Sequence, residues 1–202
     1  MKKLLSVFLV ACLCCGLVAG CGAQEESERP EEKAQRVREE LQEMEPESSY
    51  GEDRICWGNG RYQFQNIVFD VPDGVVLNDF GTAIGDYFLF NYDDGRVINV
   101  RGTDDYPLNS DDAVRKSIED WSVEANLSDK EFEIIEAKAL QIAGTDAMVK
   151  EYKHSSQWVR EITLLSEAKD SGIQFASSAA DSRSEEADWN VLNEIVDSIV
   201  VL

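Results

Sequence analysis

Histidine is almost absent from this chain of 202 residues, since His154 is the only one. Without a second histidine the sequence offers neither a metal site built on several histidines nor a histidine dyad. No motif of an activated nucleophile, such as G-x-S-x-G, accompanies it. Because Lys153 precedes it and two serines follow it, we expect His154 to lie exposed in a turn. The sequence predicts no catalytic residue and no cofactor.

Basic residues are also few. Lysine and arginine number 19 against 40 aspartates and glutamates, which gives a net charge of −21 at pH 7. Proteins that bind nucleic acid neutralise phosphates with clustered lysine and arginine, and this chain has no such cluster. The same lack excludes a polybasic attraction to anionic lipid headgroups. We therefore expect no nucleic-acid partner.

No apolar run reaches the roughly 20 residues that a transmembrane helix needs. The run from Leu4 to Leu17 follows Lys2 and Lys3 and has the pattern of a secretory signal. Its end, Leu17-Val18-Ala19-Gly20-Cys21, resembles the lipobox of bacterial lipoproteins.

That resemblance implies removal of residues 1–20 and a thioether-linked diacylglycerol on Cys21, often with a further acyl chain such as palmitate on its amine. Two or more acyl chains anchor a protein stably. The lipidation site is thus predicted at Cys21. Through the acylated Cys21 the protein is expected to bind the lipid bilayer, on the extracytoplasmic face of a bacterial membrane. The alternative is an ordinary secretory signal in which Cys21 is incidental.

Cysteine is scarce in the chain that remains after such processing. Of the five cysteines, three lie in the signal and one is Cys21, which leaves only Cys56. An intramolecular disulfide is then impossible, even in an oxidising compartment. We expect Cys56, beside Trp57, to be a small, half-buried apolar side chain; pairing between chains and a reactive thiol are the alternatives.

Aromatic residues are missing from the acidic segment 21–50 until Tyr50, so this segment has too little apolar surface to fold alone. The favoured interpretation is a charged spacer that holds the domain off the membrane. The alternative is a short docking helix that starts at Pro30, with an apolar stripe at 3-4-3 spacing formed by Ala34, Val37, Leu41 and Met44.

Residues 51–202 have the length of one globular domain. Alternating or continuous apolar runs predict strands at 62–64, 67–71, 87–92, 97–100, 132–137, 140–142, 147–152, 158–164 and 173–175. A helix is predicted from Ser110, whose acidic neighbours Asp111 and Asp112 suit a helix start, with the apolar face Val114, Ile118, Trp121 and Ala125. A second helix is predicted from Ser184, with the stripe Trp189, Leu192, Val196 and Ile199.

Four short stretches resemble the PsbP-like proteins: Phe69-Asp70-Val71-Pro72-Asp73-Gly74, the helix start at Ser110, Ile142-Ala143-Gly144-Thr145-Asp146-Ala147, and Ile195-Val196-Asp197-Ser198-Ile199. The resemblance covers residues 50–202. It implies an α+β fold, an α/β/α sandwich with a largely antiparallel β-sheet flanked by helices. It also implies a non-enzymatic, membrane-facing accessory domain.

Acidic doublets offer one alternative function. Asp93-Asp94, Asp104-Asp105 and Asp111-Asp112 could supply oxygen ligands to Ca²⁺, but the EF-hand pattern is absent and each doublet also suits a turn, a loop or a helix start. We therefore predict no metal ligands. Of the four tryptophans, only Trp57 lies outside an obvious core pattern and is a candidate for a ligand groove.

The sequence therefore predicts a membrane-anchored extracytoplasmic lipoprotein of accessory or interaction type, with an envelope protein as its partner. The alternative is a small-ligand or Ca²⁺-binding module that uses the acidic loops. An enzyme is the third and weakest hypothesis.

Overall fold

The computed structural model describes residues 28–92, 95–127, 132–167, 171–180 and 189–202. Four helices lie in these ranges: α1 (Pro30–Gln42), α2 (Asp79–Ile84), α3 (Asp111–Glu124) and α4 (Asn190–Ser198). The strands are β1 (Ser48–Tyr50), β2 (Arg54–Gly58), β3 (Arg61–Phe64), β4 (Ile67–Asp70), β5 (Val76–Leu77), β6 (Tyr87–Tyr92), β7 (Arg96–Thr103), β8 (Phe132–Ile142), β9 (Thr145–His154), β10 (Gln157–Leu165), β11 (Gly172–Ala180) and β12 (Val200–Val201).

The strands form two sheets. One has five strands in the order β1-β2-β3-β4-β12, and the other has seven in the order β5-β6-β7-β11-β10-β9-β8. All the pairings are antiparallel. The predicted α+β class, with antiparallel strands flanked by helices, is confirmed. The strands divide between two sheets, whereas the sequence suggested one.

The main core lies where the two sheets and α4 meet. Phe69 of the five-stranded sheet packs edge-on against Phe175 of the other sheet, with 5.2 Å between ring centroids. Leu192 and Ile195 of α4 are fully buried in the same cluster. Large aromatic and branched side chains bury the most apolar area per residue, so this cluster supplies most of the hydrophobic stabilisation.

Helix α1 packs on the outer face of the five-stranded sheet. Its buried residues are Ala34, Val37 and Leu41, and they form one cluster with Val68 of β4 and Val200 of β12. The alternative of a short helix with this stripe is therefore the observed structure. The charged-spacer interpretation does not describe residues 30–42, and the packed body begins at Pro30 rather than near Tyr50. The sheet supplies the partner surface that the segment lacks by itself.

Polar contacts fix the position of α1. The Nζ of Lys33 donates to the carbonyl oxygens of Ser198 and Ile199 at 3.3 and 3.4 Å. Arg61 of β3 lies between Glu40 of α1, at 2.9 Å, and Asp70 of β4, at 2.8 Å. The helix is thus held at the chain's C-terminal end and at the sheet.

Helix α3 packs on the outer face of the seven-stranded sheet. It begins as predicted, because the Ser110 hydroxyl accepts a hydrogen bond from the amide of Ala113 at 3.3 Å. Val114 and Ile118 are buried as predicted, whereas Trp121 is 39% exposed and Ala125 is exposed. The predicted apolar face was therefore too long: Trp121 contacts Tyr152 with one part of its ring and stays partly exposed, and Ala125 is not covered.

The predicted hairpins are present, with modified bounds. The runs 132–137 and 140–142 form one continuous strand, β8, which turns at Ala143-Gly144 into β9. Both turn residues have positive φ, which glycine adopts readily. The C-terminal stripe Trp189, Leu192, Val196 and Ile199 is buried as predicted. The predicted helix start at Ser184, the doublet Asp93-Asp94 and the lipidation site Cys21 lie outside the described residues.

None of the helices in the described ranges is long and apolar enough to cross a membrane.

Candidate functional site

Helix α3 covers only part of the outer face of the seven-stranded sheet. It packs over β8 and β9, where Met148 and Tyr152 are buried beneath it. On the neighbouring strands the same face carries polar and charged side chains. Lys150 pairs in register with Glu161, and Arg101 pairs with Gln174, so alternation along the strands places all four on one face.

A cavity of about 460 Å³ lies between this polar face and α3. We call it the polar cleft and define it by Arg101, Lys150, Tyr152, Glu161 and Gln174 of the sheet together with Trp121 of α3. Lys150, Tyr152 and Gln174 are more than nine-tenths buried. Burying this many polar groups is costly unless they are paired. Hydrophobic packing therefore does not explain why these polar side chains are buried in the cleft.

Three of the polar side chains have partners. The Nζ of Lys150 lies 3.0 Å from the Asp105 carboxylate, which is itself exposed in the loop after β7. The Nε of Arg101 donates to the Oε1 of Gln174 at 3.0 Å. These contacts hold two cations and one amide in the cleft.

Glu161 is different. Within the described ranges, no lysine, arginine or histidine forms an ion pair with it. Burial raises the pKa of the Glu161 carboxyl, and this effect outweighs the nearby charges of Lys150 and Arg101 and the contact with the Tyr152 hydroxyl, which act in the opposite direction. The cleft thus contains a desolvated carboxylate without a counter-ion in contact.

An aromatic wall closes one side of the cleft. The Trp121 ring lies 5.0 Å from the Tyr152 ring, and His154 lies 5.9 Å from Trp121 and 6.1 Å from Tyr152. Burial, followed by the charge of Glu161, raises the pKa of the Tyr152 phenol. His154 is the last residue of β9 and partly buried, so the predicted exposed turn position is wrong: the β9–β10 turn begins one residue later.

A second cavity, of about 600 Å³, lies between α1, the β8–β9 hairpin and α4. Arg160 borders it and is paired with Glu136 at 2.9 Å and with Glu151. The Nε1 of Trp189 donates to the same Glu151 at 2.9 Å. The Arg160 cation is thus paired with two carboxylates within the fold, and these contacts link β8, β9 and β10 to Trp189, the residue before α4. We therefore assign this region a structural role.

An apolar patch lies at the β5 edge of the seven-stranded sheet. Val76 is 62% exposed, and Phe80 and Ile84 of α2 are 77% and 70% exposed. An exposed patch of large apolar residues is a recognised sign of an interaction surface. It is separate in the fold from the polar cleft, which lies over β7, β9, β10 and β11.

The predicted site residues are distributed as follows. In the described residues, no group of three or more histidine, cysteine, aspartate or glutamate side chains is placed to hold a metal ion. Asp105 pairs with Lys150, and Asp111 accepts a hydrogen bond from the amide of Ala139 at 2.8 Å. The two aspartates therefore have structural partners on different strands, Lys150 on β9 and Ala139 on β8.

Cys56 is 5% exposed, so it is an apolar core residue as predicted but is buried more completely than the expected half-buried position, and burial raises the pKa of its thiol. Trp57 is half-buried beside α1, and its Nε1 donates to Gln63 at 3.1 Å. It lines neither the polar cleft nor the second cavity. Of the tryptophans, Trp121 is the one that lines the cleft, although its helical spacing predicted a core residue.

The comparisons with known proteins add little. No protein-family model matches the chain, and no curated protein matches it. Among solved structures, LpqN of Mycobacterium tuberculosis, involved in cell envelope biogenesis, is 16% identical with a TM-score of 0.46, over 67% of this chain and 82% of LpqN. The Ran-binding protein Mog1p of Saccharomyces cerevisiae is 11% identical with a TM-score of 0.46, over 67% of this chain and 90% of Mog1p. A protein of Bacteroides thetaiotaomicron is 9% identical with a TM-score of 0.38, over 68% of this chain and 45% of that one. At this identity and overlap, no function passes from these proteins to this chain.

Proposed function

We propose that this protein is a lipid-anchored, extracytoplasmic binding protein without catalytic activity, and that it binds an envelope protein at the polar cleft. The observation that supports the choice of site is Glu161. A desolvated carboxylate without an ion-pair partner destabilises a folded protein, and a binding partner that supplies the missing contacts offsets that cost.

The anchor is the lipobox cysteine, Cys21. The described fold begins at Glu28, seven residues later, and seven residues extend at most about 25 Å. Because α1 is packed on the domain, no long spacer follows this tether. The domain is therefore held close to the bilayer, where a partner embedded in the same membrane is within reach.

Binding is favoured over catalysis by the chemistry of the cleft. The raised pKa of Tyr152 keeps its hydroxyl protonated at neutral pH, so it is a poor base. His154 contacts Trp121 and Tyr152 through its ring, and no serine, threonine or cysteine hydrogen-bonds to it among the described residues. The polar and aromatic side chains of the cleft are suited to bind a ligand group.

The PsbP-like assignment belongs to the same proposal. It is supported by the turn after β4, where Gly74 has a positive φ, by the Ser110 helix start and by the Ala143-Gly144 turn. The PsbP-like assignment would imply that this domain is an accessory subunit that supports a larger membrane assembly. The Ca²⁺ alternative has less support, because Asp105 and Asp111 are committed to Lys150 and Ala139.

The anchoring part is tested by metabolic labelling with an alkyne analogue of palmitate. We expect the wild type to incorporate the label and to fractionate with membranes, and Cys21→Ser to lose the label. Cys56→Ser is the matched control, since it makes the same chemical change at a buried position and should keep the label. Equal labelling of Cys21→Ser and the wild type would refute lipidation at Cys21.

The binding part is tested by photo-crosslinking in cells with p-benzoylphenylalanine in place of single aromatic residues. Tyr106 follows Asp105 beside the cleft and is 54% exposed, whereas Phe80 lies in the apolar patch and is 77% exposed. We expect one reproducible adduct from position 106 that depends on Cys21. An adduct from position 80 alone would move the binding surface to the patch and contradict the proposal.

A further inference from the structure

We propose that the polar cleft recognises a cationic nitrogen at the end of a flexible chain, such as the lysine or arginine side chain of a segment of the partner protein. This inference rests on the proposed function, because it specifies the chemistry that the cleft would bind.

The charges around the cleft favour a cation. Its lining includes four carboxylates, from Asp105, Asp120, Glu124 and Glu161, against two cations, Arg101 and Lys150. Asp105 is paired with Lys150, and Asp120 with Lys116 at 2.7 Å on the exposed side of α3. An incoming cation therefore meets Glu161 and Glu124, for which the described residues supply no ion pair. An incoming anion would meet the same carboxylates and be repelled, and the net charge of −21 acts in the same direction.

The aromatic wall favours the same kind of ligand. Trp121 is 39% exposed and lies 5.0 Å from Tyr152, so both ring systems border the cavity. The face of an aromatic ring attracts a cation within about 6 Å, and indole does so most strongly. Carboxylates beside indole and phenol rings that line a cavity form the chemical set by which proteins recognise ammonium groups.

The size of the cavity limits the ligand further. About 460 Å³ is within the range of small-ligand sites, and it admits one extended side chain or a small amine rather than a folded element. The terminal nitrogen would reach Glu161 on the floor, while the alkyl chain would pass Trp121 at the rim. A lysine or arginine carries an apolar stem and a charged head in this order.

Binding is measured by isothermal titration calorimetry at 150 mM salt, with full-length protein purified in mild detergent. The probes are a Gly-Ser decapeptide with two lysines, the same peptide with both lysines acetylated, and free spermidine. We expect the lysine peptide to bind and the acetylated peptide to bind at least ten-fold more weakly. Spermidine separates the two sources of such a cation, since tighter binding of spermidine identifies a free polyamine and tighter binding of the peptide identifies a protein segment.

Two variants test the site itself. Glu161→Gln should lower the affinity for the cationic probes at least ten-fold, and Trp121→Leu at least three-fold. Glu39→Gln is the matched control, because it removes one negative charge from the exposed face of α1 and should change the affinity less than two-fold. Thermal melts confirm that the variants are folded. An equal effect of Glu161→Gln and Glu39→Gln overturns the inference, because binding would then reflect net charge alone.

The two proposals fail separately. If no cationic probe binds while the photo-crosslinker at position 106 captures a partner, the cation inference is wrong and the proposed function as a binding protein is retained. If neither occurs, both are wrong.

Discussion

The substitution Val37→Ala tests whether α1 is part of the folded body. Val37 is 3% exposed and lies in one cluster with Val68 and Val200, on the outer face of the five-stranded sheet. Val123, in α3, is 74% exposed. The change Val123→Ala removes the same two methyl groups and alters helix propensity equally, so the difference between the two variants isolates the burial at position 37.

The expected magnitude follows from the buried groups. Each buried methylene-sized group contributes about 0.8 kcal/mol, so the two methyl groups contribute about 1.6 kcal/mol. The small cavity left behind raises the cost to about 2 kcal/mol. For a domain of this size, that loss lowers the melting temperature by about 4 to 8 °C. Leu41→Ala, which removes more buried volume, should cost about 3 kcal/mol.

The assay is urea denaturation of the protein beginning at Gly22, followed by tryptophan fluorescence and far-ultraviolet circular dichroism. We expect Val37→Ala to lower the free energy of unfolding by about 2 kcal/mol more than Val123→Ala does. Coincident transitions by the two probes would indicate that α1 unfolds with the sheets. Equal stability of the two variants would refute the packing of α1 and restore the interpretation of this segment as a spacer.

Two further predictions concern buried titratable groups. The pKa of Glu161 is higher in the folded protein than the ordinary glutamate pKa of about 4.3. Between these two pKa values the folded protein holds a proton that the unfolded chain releases. The free energy of unfolding therefore falls as the pH rises through this window. Glu161→Gln should therefore be more stable than the wild type in urea denaturation at pH 7.5 and lose this advantage towards pH 4, and a pH-independent difference would contradict the raised pKa. Cys56, 5% exposed and with a raised thiol pKa, should react with a thiol-specific disulfide reagent at pH 8 only as fast as the protein unfolds, and immediate labelling in the absence of urea would show that it is accessible.

Much of the fold follows from local patterns in the sequence. Ser110 marks a helix start because its hydroxyl accepts a bond from a free backbone amide, and this contact needs no tertiary partner. The hairpin strands β6 and β7 are recognisable from their apolar runs, although only one face of each is fully buried, and the alternation of β10 reflects its two different faces. Such signals lie within a few residues of each other, so a single sequence reveals them.

The packing of α1 could not be predicted in the same way. Its stripe was visible, but the surface that it covers comes from Val68 and Val200, which are remote in sequence. The same holds for β4, where Ile67 and Phe69 face the main core and Val68 faces α1. A strand between two layers has no polar face, so its alternation does not reveal that a helix lies on the other side.

The polar cleft was not predicted at all. Lys150, Glu161 and Gln174 lie on three different strands, and only the register of β9, β10 and β11 brings them together. Trp121 was assigned to the core because its helical spacing matches that of Ile118. The one available signal was the presence of charged residues inside strands that are otherwise apolar, and that signal does not say which charges meet.

The bond between Lys33 and the carbonyl oxygen of Ser198 joins residues that are 165 positions apart. The surface that holds α1 includes β12, so it is completed only when Val200 and Val201 are in place. An isolated helix of 13 residues is only marginally stable in water. Contacts between residues remote in sequence form late in folding, because closing the long loop costs chain entropy before the packing contacts stabilise it. If the chain emerges from its N-terminus, α1 emerges before β12 and packs only after β12 is in place. Until then the apolar stripe of α1 stays exposed, and the time spent in that state is set by the rate at which the strand that contains Val200 arrives.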